Sequence, residues 1–145
     1  MEEKPVWLVV AEKEIGVKEI TGVEANKRIV EYAATTTLKA TSDEVAWCSA
    51  FVNWVLKQAG MYYTRSASAR SWLKGLAQIP EPMPGCVVVF KRGNNPQSGH
   101  VAFFTSFVGN GFIKVLGGNQ GDSVKYSNYN TEDVLGYFWP GPVKV

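Results

Sequence analysis

The chain has 145 residues, of which 46% are hydrophobic and 19% are charged. This length and composition indicate one globular domain and exclude disordered, collagen-like and coiled-coil chains. The 15 basic and 13 acidic residues leave a formal net charge of +2, which argues against nucleic acid as a partner. The chain starts with Met1-Glu2-Glu3-Lys4, and no apolar run approaches the roughly 20 residues of a membrane span. We therefore expect neither an export signal nor a membrane anchor.

Helices are predicted in the first half of the chain. The predicted segments are residues 5–16, 25–32, a third segment that begins between residues 43 and 48 and ends at 60, and 68–76. The third segment carries a narrow polar stripe formed by Ser49, Asn53 and Lys57, which indicates a mostly buried helix. We expect Ser49 and Asn53 to bond neighbouring backbone.

Strands are predicted in the second half. The run Cys86-Val87-Val88-Val89-Phe90 is typical of a buried strand. Further strands are predicted over residues 100–107, 112–116, 124–126 and 134–138, with Gly and Asn at the turns. Helices followed by strands predict an α+β fold, in which the helices pack on one face of an antiparallel sheet of about five strands.

The scarcest residues limit the chemistry. The chain has one histidine, His100, and two cysteines, Cys48 and Cys86, so any chemistry that needs an imidazole near neutral pH must use His100. This inventory cannot build a zinc site of four cysteines, or one of two cysteines and two histidines. A mixed site of both cysteines, His100 and a carboxylate stays open, as does a Cys48–Cys86 disulfide. Cys86 lies in a Val-rich strand and is interpreted as a small buried hydrophobe, which leaves Cys48 as the candidate nucleophile.

The reactivity expected of Cys48 depends on where the third helix begins. A cysteine at a helix N-terminus beside an imidazolium has a lowered pKa and is largely thiolate. Thr41 and Glu44 match a T-x-x-E capping box, which would start the helix early and place Cys48 in its second turn. We expect instead that residues 42–44 form a loop and that the helix begins near Ala46.

The register of one predicted hairpin relates His100 to Asn119. A turn at Gly109-Asn110 pairs His100 directly with Asn119, whereas a turn at Asn110-Gly111, the stronger hairpin dipeptide, makes them diagonal neighbours. Either two-residue loop places both side chains on one face, and a three-residue loop would separate them. An amide that accepts from one ring nitrogen would fix the histidine tautomer and leave the other nitrogen as a base.

Five segments, taken in their order along the chain, resemble the NlpC/P60 and CHAP superfamily of papain-like cysteine peptidases and amidases, which cut bacterial peptidoglycan. They are Trp47-Cys48-Ser49-Ala50-Phe51-Val52-Asn53-Trp54, Ser68-Ala69-Arg70-Ser71-Trp72, Pro84-Gly85-Cys86-Val87-Val88-Val89-Phe90, Gly99-His100-Val101-Ala102-Phe103-Phe104 and Gly117-Gly118-Asn119-Gln120-Gly121. The resemblance spans residues 7–139 and is greatest to small single-domain members from phages and prophages. It implies a papain-like fold and a single catalytic domain over residues 1–145.

The resemblance implies a role for each matching residue. Cys48 matches the nucleophile, His100 the base, and Asn119 the polar residue that orients the histidine. The backbone N–H of Cys48 would contribute to an oxyanion hole, with Gln120 as a candidate second donor. Cys86 stands where the family usually has Asp. The acidic calcium-binding loop of some CHAP domains is not found in the sequence, so we expect no metal and no cofactor.

The implied activity is cleavage of an amide bond in the stem peptide of peptidoglycan, as in a phage endolysin. Trp47, Arg70 and Gln120 are the expected substrate contacts. Trp72 is expected to lie in the hydrophobic core. The alternative for Arg70 is an ion pair at the protein surface. We expect a monomer made in the host cytoplasm that reaches the wall through a holin or a secretion system. The alternatives are a toxin effector with an immunity partner and a wall-binding module that does not cut.

Overall fold

The computed structural model describes residues 4–19, 27–36, 47–94, 96 and 98–141. The helices are α1 (Val6–Glu12), α2 (Lys27–Ala33) and α3 (Cys48–Gln58), followed by 3₁₀ helices over Ala69–Leu73 and Thr131–Asp133. The strands are β1 (Ala77–Ile79), β2 (Val87–Lys91), β3 (Gly99–Gly109), β4 (Phe112–Gln120), β5 (Ser123–Asn130) and β6 (Val134–Trp139). Within the described ranges, no helix is both long and apolar enough to cross a bilayer.

The strands form one antiparallel sheet in the order β1-β6-β2-β3-β4-β5. The predicted α+β architecture is therefore confirmed, with one strand more than expected in the described part of the chain. The additional strand, β1, has three residues and pairs with β6 from Ala77↔Trp139 to Ile79↔Tyr137. Three residues are too few to show the alternation of apolar and polar side chains that predicts a strand. β1 is formed by its pairing with β6, which is distant in sequence.

Two hydrophobic clusters cover the two faces of the sheet, because side chains alternate along each strand. The helix face holds Val87, Val89, Val101, Phe103 and Leu116 against the buried residues of α1, α2 and α3. The opposite face holds Cys86, Val88, Phe90, Ala102, Phe104, Ile113 and Val115. The helices thus pack on one face of the sheet, as expected from the sequence.

Helix α3 is buried along most of its length, as its narrow polar stripe predicts. Ser49 Oγ donates to the carbonyl of Ser66 at 2.7 Å, and Asn53 Nδ2 donates to the same carbonyl at 3.0 Å. Asn53 Oδ1 accepts from the backbone N–H of Arg65 at 2.8 Å. These polar side chains therefore hold the loop that follows α3, and the expectation that they bond backbone is confirmed.

Phe51 joins α3 to both the sheet and α2. Its ring is fully buried and lies edge-on to Tyr32 at 5.3 Å and to Phe103 at 6.4 Å between ring centroids. Phe51→Ala is expected to lower the free energy of unfolding by about 3–5 kcal/mol, since it leaves a cavity among aromatic rings. The measurement is urea unfolding followed by tryptophan fluorescence. Phe107→Ala is the matched control, because Phe107 is 67% exposed and should cost less than about 1 kcal/mol; equal losses would contradict this packing.

Candidate active site

Cys48 is the first residue of α3, and Trp47 before it provides no side-chain cap. The expected start near residue 46 is two residues early, and Thr41 and Glu44 lie outside the described residues. The first N–H groups of a helix have no intrahelical partner. Backbone hydrogen bonds from Val101, Ser49 and Cys48 itself act to lower the pKa of the Cys48 thiol.

Burial outweighs these backbone hydrogen bonds at Cys48. The side chain is almost completely buried, and desolvation raises the thiol pKa above its ordinary value. The expectation of a thiolate in the free protein is therefore wrong, because a helix N-terminus does not compensate for loss of solvent around the charged form. Cys48 is a neutral thiol at neutral pH.

His100 lies near the start of β3 and is 2% exposed. Its Nε2 lies 2.8 Å from Oε1 of Gln120. The amide orientation of Gln120 is fixed from its other end, since Nε2 of Gln120 donates to the carbonyl of Lys125 at 2.6 Å. An amide oxygen only accepts, so the ring proton of neutral His100 is on Nε2.

The second ring nitrogen of His100 carries the available lone pair. Nδ1 is buried and has no hydrogen-bond partner within the described part of the chain. Because Nε2 holds the proton, Nδ1 is unprotonated in the neutral ring. An orphaned buried acceptor is costly, and here it is the atom that can take a proton.

The structure corrects the role predicted for Asn119. The side chain bonded to His100 is Gln120, not Asn119. Asn119 has φ of 57°, and the pairing of β4 with β5 shifts by one residue between Gly117 and Gln120. This bulge breaks the strict alternation, so Gln120 occupies the face predicted for Asn119.

Gly117 leaves room for the Gln120 amide. A Cβ at Gly117 would lie 2.8 Å from Oε1 of Gln120 and 2.8 Å from Cβ of Ala102. The hairpin turn itself is the one that Asn110-Gly111 favours, because Gly109 pairs with Phe112 and both turn residues have positive φ. Between this turn and Phe104, the pairing register of β3 with β4 shifts at two places.

Two aromatic rings cover the imidazole. His100 stacks on Tyr129 with ring centroids 5.1 Å apart, and Tyr129 stacks on Phe90 at 4.7 Å. Phe90 pairs with His100 across β2 and β3, and their ring centroids are 6.1 Å apart. The sequence alone does not indicate a role at the site for either aromatic residue. Strand alternation could have identified Phe90 as a residue on the same face as His100. Tyr129 lies beyond the strand predicted over residues 124–126, and it reaches this face because β5 is longer in the structure.

Burial under these rings controls the charge of His100. Desolvation lowers the pKa of the imidazole from 6.5 to about 4, the hydrogen bond to Gln120 acts in the opposite direction, and the charge of Arg92 lowers the pKa further. The same Arg92 charge acts to lower the pKa of the Cys48 thiol. In the free protein the two groups are therefore a neutral thiol and a neutral imidazole.

Three observations relate the surroundings of Cys48 to those of His100. Cys48 and Val101, the residue after His100, pack in the same buried cluster. The charge of Arg92 acts on both side chains. Tyr129 stacks on His100, and the pKa of its hydroxyl is raised chiefly by burial, with a smaller contribution from Cys48. Cys48, His100 and Gln120 therefore form the candidate active site.

The residues expected to contact substrate have different surroundings. Trp47 is 1% exposed and its Nε1 donates to Glu19 Oε1 at 2.6 Å, so the expectation that it lines a groove is wrong. Gln120 is also buried with both ends of its amide bonded, and this excludes it as a free donor to substrate. Arg70 Nε donates to the carbonyl of Ser98 at 2.6 Å.

Arg70 lines an open surface depression together with Ser68, Ser71, Lys74 and Pro96. This position is close to the start of β3, because the Arg70 side chain lies 3.5 Å from where a Cβ at Gly99 would be. Trp72 is fully buried, as expected, and its Nε1 donates to Ser49 Oγ at 2.9 Å.

The two cysteines lie in the clusters on opposite faces of the sheet, and both are free thiols. The two cysteines are therefore not joined by a disulfide. Burial raises the pKa of Cys86 to about 12, so its thiol is unreactive, in line with its interpretation as a small hydrophobe.

Comparisons with known proteins find one matching family model and solved structures with a similar fold. A family model for the CHAP domain matches residues 40–119, more than half of the chain. A crystal structure from Staphylococcus aureus subsp. aureus Mu50, described as similar to a lipoprotein of the NLP/P60 family, has a TM-score of 0.55 and 19% identity over 93% of this chain. The wild-type endolysin LysIME-EF1 has a TM-score of 0.53 and 14% identity over 79%.

This chain spans 40% of the length of the first of these structures and 63% of the second. At these identities the likeness establishes the fold. No curated protein matches the sequence significantly.

The hydrogen bond from His100 to Gln120 can be removed without a large change in volume. Gln120→Leu is expected to reduce any hydrolytic turnover that depends on His100 by about 100-fold, because the ring loses the acceptor that fixes its tautomer. Turnover is measured by the release of new amino groups from purified cell walls.

Asn119→Gly is the matched control, because glycine accepts the positive φ at this position. It should leave turnover within about twofold of the parent protein, and circular dichroism verifies that both variants fold. A larger loss in Asn119→Gly than in Gln120→Leu would return the orienting role to Asn119.

Proposed function

Since this chain belongs to the CHAP domain family, we propose that it is a peptidoglycan hydrolase that cleaves an amide bond with Cys48 as nucleophile and His100 as base. The observation that carries the proposal is the tautomer of His100. Gln120 holds the ring proton on Nε2 and leaves Nδ1 as a base with no hydrogen-bond partner among the described residues. A thiol, an oriented imidazole and an amide that orients it are the components of a cysteine acyl-transfer site.

The proposed reaction begins from the neutral pair. His100 Nδ1 takes the thiol proton as Cys48 Sγ bonds to the carbonyl carbon of the substrate, so the imidazolium and the oxyanion form together from neutral groups. The oxyanion accepts a hydrogen bond from the backbone N–H of Cys48 at the start of α3. The tetrahedral intermediate then collapses, the C–N bond breaks, and the imidazolium gives its proton to the leaving amine.

The second half of the reaction releases the acyl group. His100, neutral again, takes a proton from water as the water oxygen attacks the thioester. The C–S bond breaks, the sulfur regains a proton from the imidazolium, and a carboxylic acid leaves. Burial of the site under Phe90 and Tyr129 favours the neutral forms between steps, because desolvation penalises charge.

We propose further that the bond lies in or next to the stem peptide, either between muramic acid and L-Ala or within the peptide, and that the biological role is that of an endolysin delivered to the wall from the cytoplasm. The resemblance of the fold to an endolysin supports this role. Arg70 is the proposed contact for a substrate carboxylate, which its place in the open depression supports. The proposed active form is a monomer without a metal.

Replacement of the nucleophile separates an enzyme from a wall-binding module. Cys48→Ala is expected to abolish the release of amino groups from purified cell walls, to below about one thousandth of the parent rate, because no other thiol can attack. Cys86→Ala should keep most of the activity, since the Cys86 thiol is fully buried and packs in a different cluster from Cys48. Both rates are compared after thermal unfolding shows that each variant is folded.

Mass spectrometry of the released fragments identifies the cleaved bond. Free L-Ala amino termini on the peptides would indicate an amidase, and other new amino termini an endopeptidase. Walls cleared equally fast by Cys48→Ala and by the parent protein would overturn the thiol mechanism. A parent protein that binds walls without releasing fragments would support the binding-module alternative.

A further inference from the structure

Tyr129 reaches the imidazole of His100 because β5 and β6 are joined by a short connection. It is the next-to-last residue of β5. The 3₁₀ helix over Thr131–Asp133 leads from there to Val134, which pairs with Phe90 on β2. Phe90 in turn pairs with His100 on β3. The connection therefore brings the end of β5 to the part of β2 that lies beside His100.

The ring of Tyr129 lies against both of these side chains with nearly the same tilt. Its plane makes an angle of 23° with the His100 imidazole at 5.1 Å between centroids, and 28° with the Phe90 ring at 4.7 Å. His100 and Phe90 are almost completely buried, whereas Tyr129 is half-buried and packs against the cluster that holds Phe90. Of the three stacked rings, Tyr129 is therefore the one that is in contact with solvent.

A ring stacked on the imidazole restrains a motion that a single hydrogen bond leaves free. The bond from Nε2 of His100 to Oε1 of Gln120 fixes which edge of the imidazole faces the amide, but the imidazole can still tilt about that bond. Contact with the face of Tyr129 limits the tilt, because stacked rings pack in nearly parallel planes. The contact competes with neither ring nitrogen, since both nitrogens bond in the plane of the ring.

The charges around His100 do not depend on the Tyr129 ring. Arg92, which follows β2, acts on the charge of the imidazole, and β4 contributes the uncharged amide of Gln120. Burial raises the pKa of the Tyr129 hydroxyl, so this group is neutral throughout the range in which a histidine titrates. Cys48 on α3 is a neutral thiol for the same reason. The Tyr129 ring therefore acts on the imidazole through contact and through exclusion of water.

We propose that Tyr129 is a positioning residue for the hydrolysis, whose ring face holds the plane of the His100 imidazole and keeps water away from it. The inference rests on the proposed function, in which His100 is the base. With water excluded, the imidazole stays neutral to low pH, and the neutral ring is the form that accepts a proton. The aromatic face of Tyr129 is required for this role, and its hydroxyl is not.

Three variants in β5 separate the aromatic face from the hydroxyl and from general damage to the strand. Tyr129→Phe keeps the face, and Tyr129→Ile replaces it with a residue that suits a strand. Tyr126→Ile is the matched control, because Tyr126 lies on the same strand and is 39% exposed. Each variant is compared with the parent protein by nitrogen-15 NMR titration of the single histidine. The second readout is the pH dependence of kcat/KM for the release of amino groups from purified cell walls.

Tyr129→Ile is expected to raise the pKa of His100 from about 4 by about one pH unit or more, because water then reaches the charged ring. The acid limb of kcat/KM, which reports the base of the free protein, should move to higher pH by the same amount. At about pH 8, where the ring is neutral in every variant, kcat should fall about tenfold through the lost orientation. Tyr129→Phe and Tyr126→Ile should keep the pKa, the acid limb and, within about twofold, the kcat of the parent protein.

A pKa and an acid limb that stay unchanged in Tyr129→Ile would overturn the proposal, as would equal shifts in Tyr126→Ile. A shift of both in Tyr129→Phe would also overturn it, and this variant changes the packing least, so the proposal is tested even if Tyr129→Ile does not fold. A parent protein that releases no amino groups would instead overturn the proposed function, and the NMR titration then decides the role of Tyr129 by itself.

Discussion

The candidate site depends on one buried hydrogen bond, in which Nε2 of His100 donates to Oε1 of Gln120 at 2.8 Å. The bond fixes the tautomer because the amide is itself held by the carbonyl of Lys125. Its consequence is that Nδ1, buried and unpartnered within the described residues, is the basic atom. Gly117 supports this arrangement, since any larger residue would occupy the space of the amide oxygen.

The low polarity around this bond determines the resting charge of the site. Phe90 and Tyr129 stack with the imidazole, and burial lowers the pKa of His100 while it raises that of Cys48. The site therefore rests as a neutral pair rather than as a thiolate and an imidazolium. Because an accessible thiolate is the form that reacts with oxidants and with other electrophiles, a neutral buried thiol is also protected between turnovers.

The sequence predicts the parts of the site that depend on local pattern. The apolar run with a narrow polar stripe predicts α3, and the structure has Cys48 as its first residue. The Val-rich run predicts β2. The sequence leaves two turns open for the hairpin between β3 and β4, and the structure has the one at the stronger dipeptide, Asn110-Gly111. Each of these features is decided by neighbouring residues, so it can be recognised without the rest of the chain.

The features that the sequence does not predict depend on tertiary structure. Register arithmetic assumes regular alternation, and the bulge at Asn119 moves the orienting amide to Gln120. The burial of Trp47 follows from its packing on Tyr32 and its bond to Glu19, neither of which is a local feature. The raised pKa of Cys48 likewise results from burial by the residues packed around the start of α3. The helix N-terminus alone leads to the opposite expectation, a lowered pKa.

The most direct test of the neutral, Gln120-oriented imidazole is a nitrogen-15 NMR titration of the ring. The chain has a single histidine, so the two ring signals belong to His100 without further assignment. The structure predicts a proton on Nε2 and none on Nδ1 at pH 7, and a ring that becomes protonated only as the pH falls towards its pKa of about 4. A proton on Nδ1, or a ring that is already charged at pH 7, would contradict the account.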